Sequence, residues 1–155
     1  MTSGAEEHLN PARAVLVEQR APEQLVRREQ VERRGPEAEV VPLTNRDRST
    51  DGLVALTRNS WLDSVASRYA EQMARSGVLA HNPGSGAAVT DCHPGATWGD
   101  NVGTAAPCDT ARLERDWMAS PSHRRNILTG AFRLIGVGAW TDEQGGCWVQ
   151  VLFSS

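Results

Sequence analysis

The chain has 155 residues, a formal net charge of -3, and 16 Lys and Arg against 19 Asp and Glu. This length allows one ordinary domain and a tail, because single domains commonly hold about 100–150 residues. The mixed charges exclude a basic face for nucleic acid, and the longest apolar stretches are far shorter than the roughly 20 residues of a membrane-spanning helix.

Residues 1–42 are predicted to be a charged N-terminal tail or linker. They are rich in Glu, Arg, Gln and Ala and contain no Phe, Trp or Tyr. Such a segment buries little apolar surface, so we expect it to be disordered, with at most a marginal helix between Pro22 and Arg34. Met1 to Glu7 is polar and acidic, so no secretory signal is visible there.

Residues 43–155 are predicted to form the folded domain. The strongest helix signal runs from Ser60 to Ser76, where apolar residues recur at three- and four-residue spacing. We expect Ser60 to be its N-cap, with Asp63 in the first turn as the reciprocal capping residue. Gly77 suits the left-handed residue that ends a helix.

The second half of the domain shows two helices and then two strands. One helix is predicted to begin at Asp109 or Thr110 and to end near Ala119. Ser120 is then expected to cap a short helix that begins at Pro121 and runs to about Leu128. In the first of these helices, Leu113 and Trp117 are expected on the buried side. Two strands are predicted at Leu134–Trp140 and Cys147–Phe153. Helices followed by a hairpin predict an α+β fold with helices on a small, mostly antiparallel sheet.

Cys92, Cys108 and Cys147 form no CxxC pair of the kind found in zinc or thioredoxin-like redox sites. Their spacing is compatible with one disulfide and a spare thiol, or with three reduced thiols. Because Cys92 and Cys108 bracket the segment Trp98–Asn101, we hypothesise that these two cysteines are bridged.

Several motifs occur in an order that resembles the bacterial branch of the CAP superfamily, the cysteine-rich secretory, antigen 5 and pathogenesis-related 1 proteins. The sequence Trp98–Gly99–Asp100–Asn101–Val102 is similar to that family's Gly-Glu-Asn-(Val/Ile) signature. The run from Trp117 to Leu128, WMASPSHRRNIL, is similar to its Trp-Met-x-Ser-Pro-x-His-Arg-x-Asn-Ile-Leu block. The remaining matches are Phe132, Ile135–Gly136–Val137–Gly138 and Trp148–Val149–Gln150–Val151.

This resemblance implies an α/β/α sandwich with a central cleft, located outside the cell or on its surface. Many members of that superfamily place two histidines and two acidic residues in the cleft, where they hold a divalent metal. Those positions fall here on His81, Asp100 and His123, while Ser120 stands where eukaryotic relatives have the second acid. Two imidazoles, one carboxylate and a water are a sensible set for zinc, so Zn or another divalent cation is the candidate cofactor.

Each candidate also has a structural explanation that the sequence leaves open. His123 can pack or hydrogen-bond against the Trp98–Asn101 segment, and His81 can be a surface residue after a helix end. Asp100 and Asn101 are expected in a loop between glycines, where their side chains can satisfy backbone N–H groups. Arg124 can meet an anionic ligand at the cleft or lie in solvent.

The function predicted from these residues is an extracellular, monomeric binding module rather than an enzyme. Its cleft would accept a small apolar or lipid-like ligand, contacted by His81, Asp100, Asn101, Ser120, His123 and Arg124. One alternative is a metal-assisted hydrolase, for which the nearest general base is Glu114, a residue expected to face solvent. The other is a rigid domain that binds a protein partner.

Overall fold

The computed structural model describes residues 35–155, so the marginal helix predicted at Pro22–Arg34 lies outside the described residues. Its elements are α1 (Pro36–Thr50), β1 (Thr57–Arg58), α2 (Ser60–Ser76), α3 (Ser85–Cys92), β2 (Trp98–Ala105), α4 (Thr110–Ala119), α5 (Pro121–Ile127), β3 (Leu134–Thr141) and β4 (Cys147–Ser154). The predicted α+β class is confirmed for the described part of the chain.

Helix α1 begins before residue 43, where the sequence predicted the domain to start. Pro36 occupies the first turn, where a missing N–H costs nothing because that group has no partner inside the helix. Val40 and Thr44, one turn apart, are both buried. This part of the chain therefore buries apolar surface that its charged composition did not suggest.

Helix α2 is confirmed, but its predicted N-cap is wrong by one residue. Asn59, not Ser60, is the cap, and its side-chain oxygen accepts a hydrogen bond from the Leu62 N–H at 3.0 Å. Asp63 instead accepts from the Val137 N–H at 2.9 Å and so ties the helix to β3. Gly77 ends the helix in the left-handed region with φ 67°, as predicted.

The four described strands form one sheet in the order β1-β3-β4-β2. The hairpin β3–β4 is confirmed and its ladder runs from Leu134 opposite Ser154 to Thr141 opposite Cys147. β1 adds to β3 in parallel, and β2 adds to β4 in antiparallel orientation. The expected loop around Asp100 is therefore wrong, because Asp100 lies within β2, opposite Leu152.

Helices cover both faces of this sheet, which confirms the predicted three-layer sandwich. One face packs against α2 and α3 through a cluster that includes Leu62, Ala66, Val89 and Leu152. The opposite face packs against α1, α4 and α5, where the buried residues are Val40, Leu113, Trp117, Ile127, Val137, Val149 and Val151. Alternate residues of β4 face alternate layers, as the two-residue period of a strand requires.

The hypothesised Cys92–Cys108 bridge is wrong. Cys108 is bonded to Cys147, with the two Cα atoms 4.9 Å apart, and Cys92 is free at the end of α3. Cys147 begins β4 directly opposite Ala105, the last residue of β2. Cys108, which follows β2 in the chain, therefore lies beside Cys147. The spacing of the cysteines alone did not predict this pairing.

We expect Cys108→Ser with Cys147→Ser to lower the free energy of unfolding by about 4 kcal/mol, because the bridge closes a loop of 39 residues in the unfolded chain. Urea unfolding under oxidising conditions measures this loss. Cys92→Ser is the matched control and should leave the urea midpoint unchanged. A comparable loss in the control would contradict this disulfide pairing.

Candidate functional site

Strand β2 carries Asp100 on the sheet face that packs against α2 and α3. Its Oδ1 lies 2.9 Å from Nδ1 of His81. Its Oδ2 accepts from Gln150 Nε2 at 3.2 Å and, weakly, from the Ser85 hydroxyl at 3.5 Å. The four side chains form one cluster, and both oxygens of the Asp100 carboxylate are hydrogen-bonded.

His81 reaches Asp100 from the loop between α2 and α3. The Tyr69 hydroxyl donates to the Ala80 carbonyl at 3.0 Å and fixes this loop against α2. Because a carboxylate only accepts hydrogen bonds, His81 donates to Asp100 through Nδ1–H. In the neutral form of the ring this leaves Nε2 as the nitrogen that can bind a ligand, on a side chain that is 57% exposed.

His123 faces His81 from helix α5. The two imidazole centroids are 5.6 Å apart. The Nε2 atom of His123 is buried and has no hydrogen-bond partner among residues 35–155. Burial lowers the pKa of His123, and nearby His81 lowers it further while Asp100 opposes the shift, so this imidazole is neutral at pH 7.

Helix α5 is held beside β2 by two asparagine side chains. Asn126 Nδ2 donates to the Asp100 carbonyl and to Asn101 Oδ1, each at 2.9 Å. Asn101 Nδ2 donates in turn to the His123 carbonyl at 3.2 Å. In the neighbouring helix α4, Trp117 Nε1 donates to the Val102 carbonyl at 2.9 Å. Asn101 thus supports the backbone of His123 rather than facing the imidazoles.

The other two predicted cleft residues, Ser120 and Arg124, have different neighbours. Ser120 occupies the N-cap position of α5, but its hydroxyl makes no capping bond and lies 3.4 Å from the Ser122 hydroxyl. The predicted capping role of its side chain is therefore wrong. Arg124 forms an ion pair with Asp51 at 3.7 Å, next to the end of α1.

Ser85 and Gln150 also belong to this site, although neither was predicted to be a site residue. Both are fully buried, and Gln150 Nε2 also donates to Ser85 Oγ at 3.1 Å. A signal for Gln150 was present, because it is a lone amide in the middle of the apolar run of β4. Ser85 had no such signal, since α3 was not predicted.

Glu114 was expected to face solvent, and this expectation is wrong. It is fully buried between α4 and α1, where it accepts a hydrogen bond from Thr44. It is therefore not the exposed base that a hydrolase mechanism at the histidines would need.

Residues 35–155 contain no group of three or more His, Cys, Asp or Glu side chains arranged to hold a metal ion. His81, Asp100 and His123 do come together, but Asp100 turns its carboxylate to the Nδ1–H of His81. Within the described range, no helix is long and apolar enough to cross a membrane.

The model of the cysteine-rich secretory protein family, CAP, matches residues 41–152. The chain belongs to this family. The match begins within α1 and ends within β4, and it includes both histidines of the site. No curated protein matches the chain.

Solved CAP structures share the fold. The SCP-domain extracellular protein of Bacillus anthracis is 24% identical with a TM-score of 0.64, over 77% of this chain and 40% of that one. An outer surface protein of Borrelia burgdorferi is 17% identical with a TM-score of 0.65, over 77% and 92% of the two chains. NaASP2, whose crystal structure is with Zn²⁺, is 11% identical with a TM-score of 0.58, over 77% and 80%. The chain thus spans less than half of the Bacillus anthracis protein.

Proposed function

We propose that this CAP domain is an extracellular binding module whose site is the pair His81 and His123, and that the pair takes a divalent transition-metal cation such as Zn²⁺. The observation that carries the proposal is the His123 Nε2 atom, which is buried and unpartnered opposite the ring of His81. A buried nitrogen without a partner is costly, and a ligand that supplies one removes that cost.

The donor set suits zinc in a particular way. His81 offers Nε2, because its Nδ1 is bonded to Asp100, and His123 offers Nε2 on a neutral ring. A carboxylate that holds the far nitrogen of a ligating histidine is the usual outer partner of such a site. Asp100 therefore has the role of orienting His81, while bound water or another ligand completes the coordination. NaASP2 supports the choice of metal, since its structure is with Zn²⁺.

An apolar or lipid-like ligand is the proposed second component. Val78 and Leu79 precede His81 in the same loop and are 58% and 46% exposed. Adjacent exposed apolar residues beside a polar site are typical of surfaces that bind a ligand or partner. A small ligand with an anionic head and an apolar body would contact the cation and this pair together.

Binding is favoured over hydrolysis by the carboxylates of the described residues. Asp100 already accepts from three side chains, and Glu114 is buried against α1. Neither is free to take a proton from a metal-bound water. The extracellular location is supported by the family match, by the Bacillus anthracis and Borrelia burgdorferi neighbours, and by the Cys108–Cys147 disulfide, since such bonds persist in oxidising compartments.

We expect isothermal titration of the metal-stripped chain with Zn²⁺ at pH 7.5 to show one site, with binding lost in both His81→Ala and His123→Ala. His93→Ala is the matched control, because His93 lies at the end of α3 and outside the pair. Asp100→Asn should weaken binding by about 10- to 100-fold, as loss of an outer partner does.

Two results would count against the proposal. Binding that survives both histidine variants would place the metal elsewhere. No binding at all would leave the rigid protein-interaction domain as the better account, because that function needs neither imidazole.

A further inference from the structure

A buried carboxyl group joins α1 to α4. Glu114 is 0% exposed, and Thr44 Oγ1 donates to its Oε2 at 3.1 Å. Its Oε1 is also buried and has no partner among residues 35–155. One neutral hydrogen bond does not compensate an ionised carboxylate removed from water, so this packing suits the protonated acid.

The surrounding charges give this carboxyl group little support. Asp47 and Arg46 of α1 act on it in opposite directions, and burial, the largest cause, raises the pKa of Glu114 to about 7. A second acid lies between α1 and α4: Glu39 Oε2 accepts a hydrogen bond from the Thr110 hydroxyl at 2.5 Å. The face of the sheet beneath α4 contributes Gly103 and apolar residues, with no ionisable side chain.

Helix α1 also holds the helix that carries His123. Arg48 of α1 donates to the carbonyl of Ile127, the last residue of α5, at 2.8 Å. Asp51, at the end of α1, pairs with Arg124 of α5 at 3.7 Å. A change in how α1 packs against α4 therefore reaches α5 through contacts that exist in this structure.

We propose that α1 is a pH-sensitive clamp, in which ionisation of Glu114 weakens its packing against α4 and thereby loosens α5 and the His123 backbone. The domain is clamped at acidic pH and loosened from neutral pH upward. This inference goes beyond the proposed function and does not depend on metal binding.

The sign of the pH dependence of stability is set by which state, folded or unfolded, binds the Glu114 proton more tightly. The folded chain holds the Glu114 proton up to about pH 7, whereas the unfolded chain releases it near its ordinary pKa of 4.5. Stability from this group is complete below pH 4.5 and is lost as the pH rises to about 7. Above that pH the loss is constant, because both states are ionised.

The test compares the full-length wild-type chain with Glu114→Gln in metal-free buffer at pH 5 and pH 8. Gln has the shape of the protonated acid and does not titrate. We expect the folded-to-unfolded ratio of the wild type to fall by roughly 50-fold relative to Glu114→Gln between these pH values, measured by urea unfolding. Comparing the two variants cancels other titrations, including that of His123.

Hydrogen exchange localises the effect. Amides of α1 and α5 should lose protection from pH 5 to pH 8, after correction for intrinsic exchange rates, in the wild type but not in Glu114→Gln. Glu143→Gln, in the exposed β3–β4 turn, is the control and should behave as the wild type. Parallel pH profiles for wild type and Glu114→Gln, or loss of protection confined to other elements, would overturn the proposal. Thr44→Val offers a second variant if Glu114→Gln fails to fold, and should lower the protection of α1 already at pH 5.

Discussion

Arg48→Met is expected to lower the free energy of unfolding by about 4 to 5 kcal/mol. Arg48 is fully buried, and it donates to the carbonyls of Val54, Ile127, Thr129 and Phe132 at 2.8 to 3.4 Å. Its guanidinium joins α1 to the chain before β1, the end of α5 and the turn before β3. Methionine fills similar volume and satisfies none of these acceptors. Urea unfolding at pH 7 measures the loss.

Arg46→Met is the matched control on the same helix. The Arg46 side chain is 62% exposed, and within residues 35–155 its one ion pair is with adjacent Asp47, so its removal should change stability by no more than about 0.5 kcal/mol. Arg48→Lys should fall between the two, because an ammonium keeps the charge but lacks the planar fork that reaches several carbonyls. Equal effects of the Arg48 and Arg46 substitutions would show that the carbonyl contacts do not matter.

Gly138→Ala is expected to cost about 4 kcal/mol or to prevent folding, since overpacking a core forces backbone shifts. A Cβ atom at Gly138 would overlap the Ser67 backbone nitrogen and the Ala66 carbonyl carbon of α2. Backbone atoms of a helix do not yield as the end of a flexible side chain does. The whole of α2 would have to move away from β3, and thermal unfolding followed by circular dichroism measures the result.

Gly130→Ala controls for the loss of a glycine as such. A Cβ there would meet the Leu53 side chain at an ordinary contact distance of 3.5 Å. We expect its melting temperature to lie within about 2 °C of the wild type, since a change below roughly 0.5 kcal/mol moves the midpoint little. A Gly138→Ala variant that is as stable as this control would contradict the close packing of α2 on β3.

The sequence predicted the elements that carry a strong periodic signal. Helix α2 has apolar residues on one face, and the hairpin β3–β4 has two β-rich runs around a Gly pair, so both were found with small errors at their ends. Helix α1 was not predicted, because its buried residues are spread among charged ones. Its stability comes from contacts distant in sequence, such as that of Arg48 with Ile127.

The candidate site was predicted only where a motif or resemblance named its residues. His81, Asp100 and His123 do meet, but the hydrogen bond that turns Asp100 toward His81 depends on Gln150 and Ser85, which no local pattern connects to it. Glu114 is likewise buried because α1 packs against α4 at this position. Pairings of this kind depend on tertiary contacts, which spacing along one chain does not encode.

Strand β2 is the last strand of the sheet on its side, yet it is poorly suited to recruit another strand. Its carbonyls at Asp100 and Val102 already accept from Asn126 and Trp117 side chains. A strand from a second molecule would first have to displace both donors, and with them α4 and α5. This arrangement protects the β2 edge against pairing with a strand of another molecule, so any contact on this side of the sheet has to be made by side chains and loops rather than by adding a strand to β2.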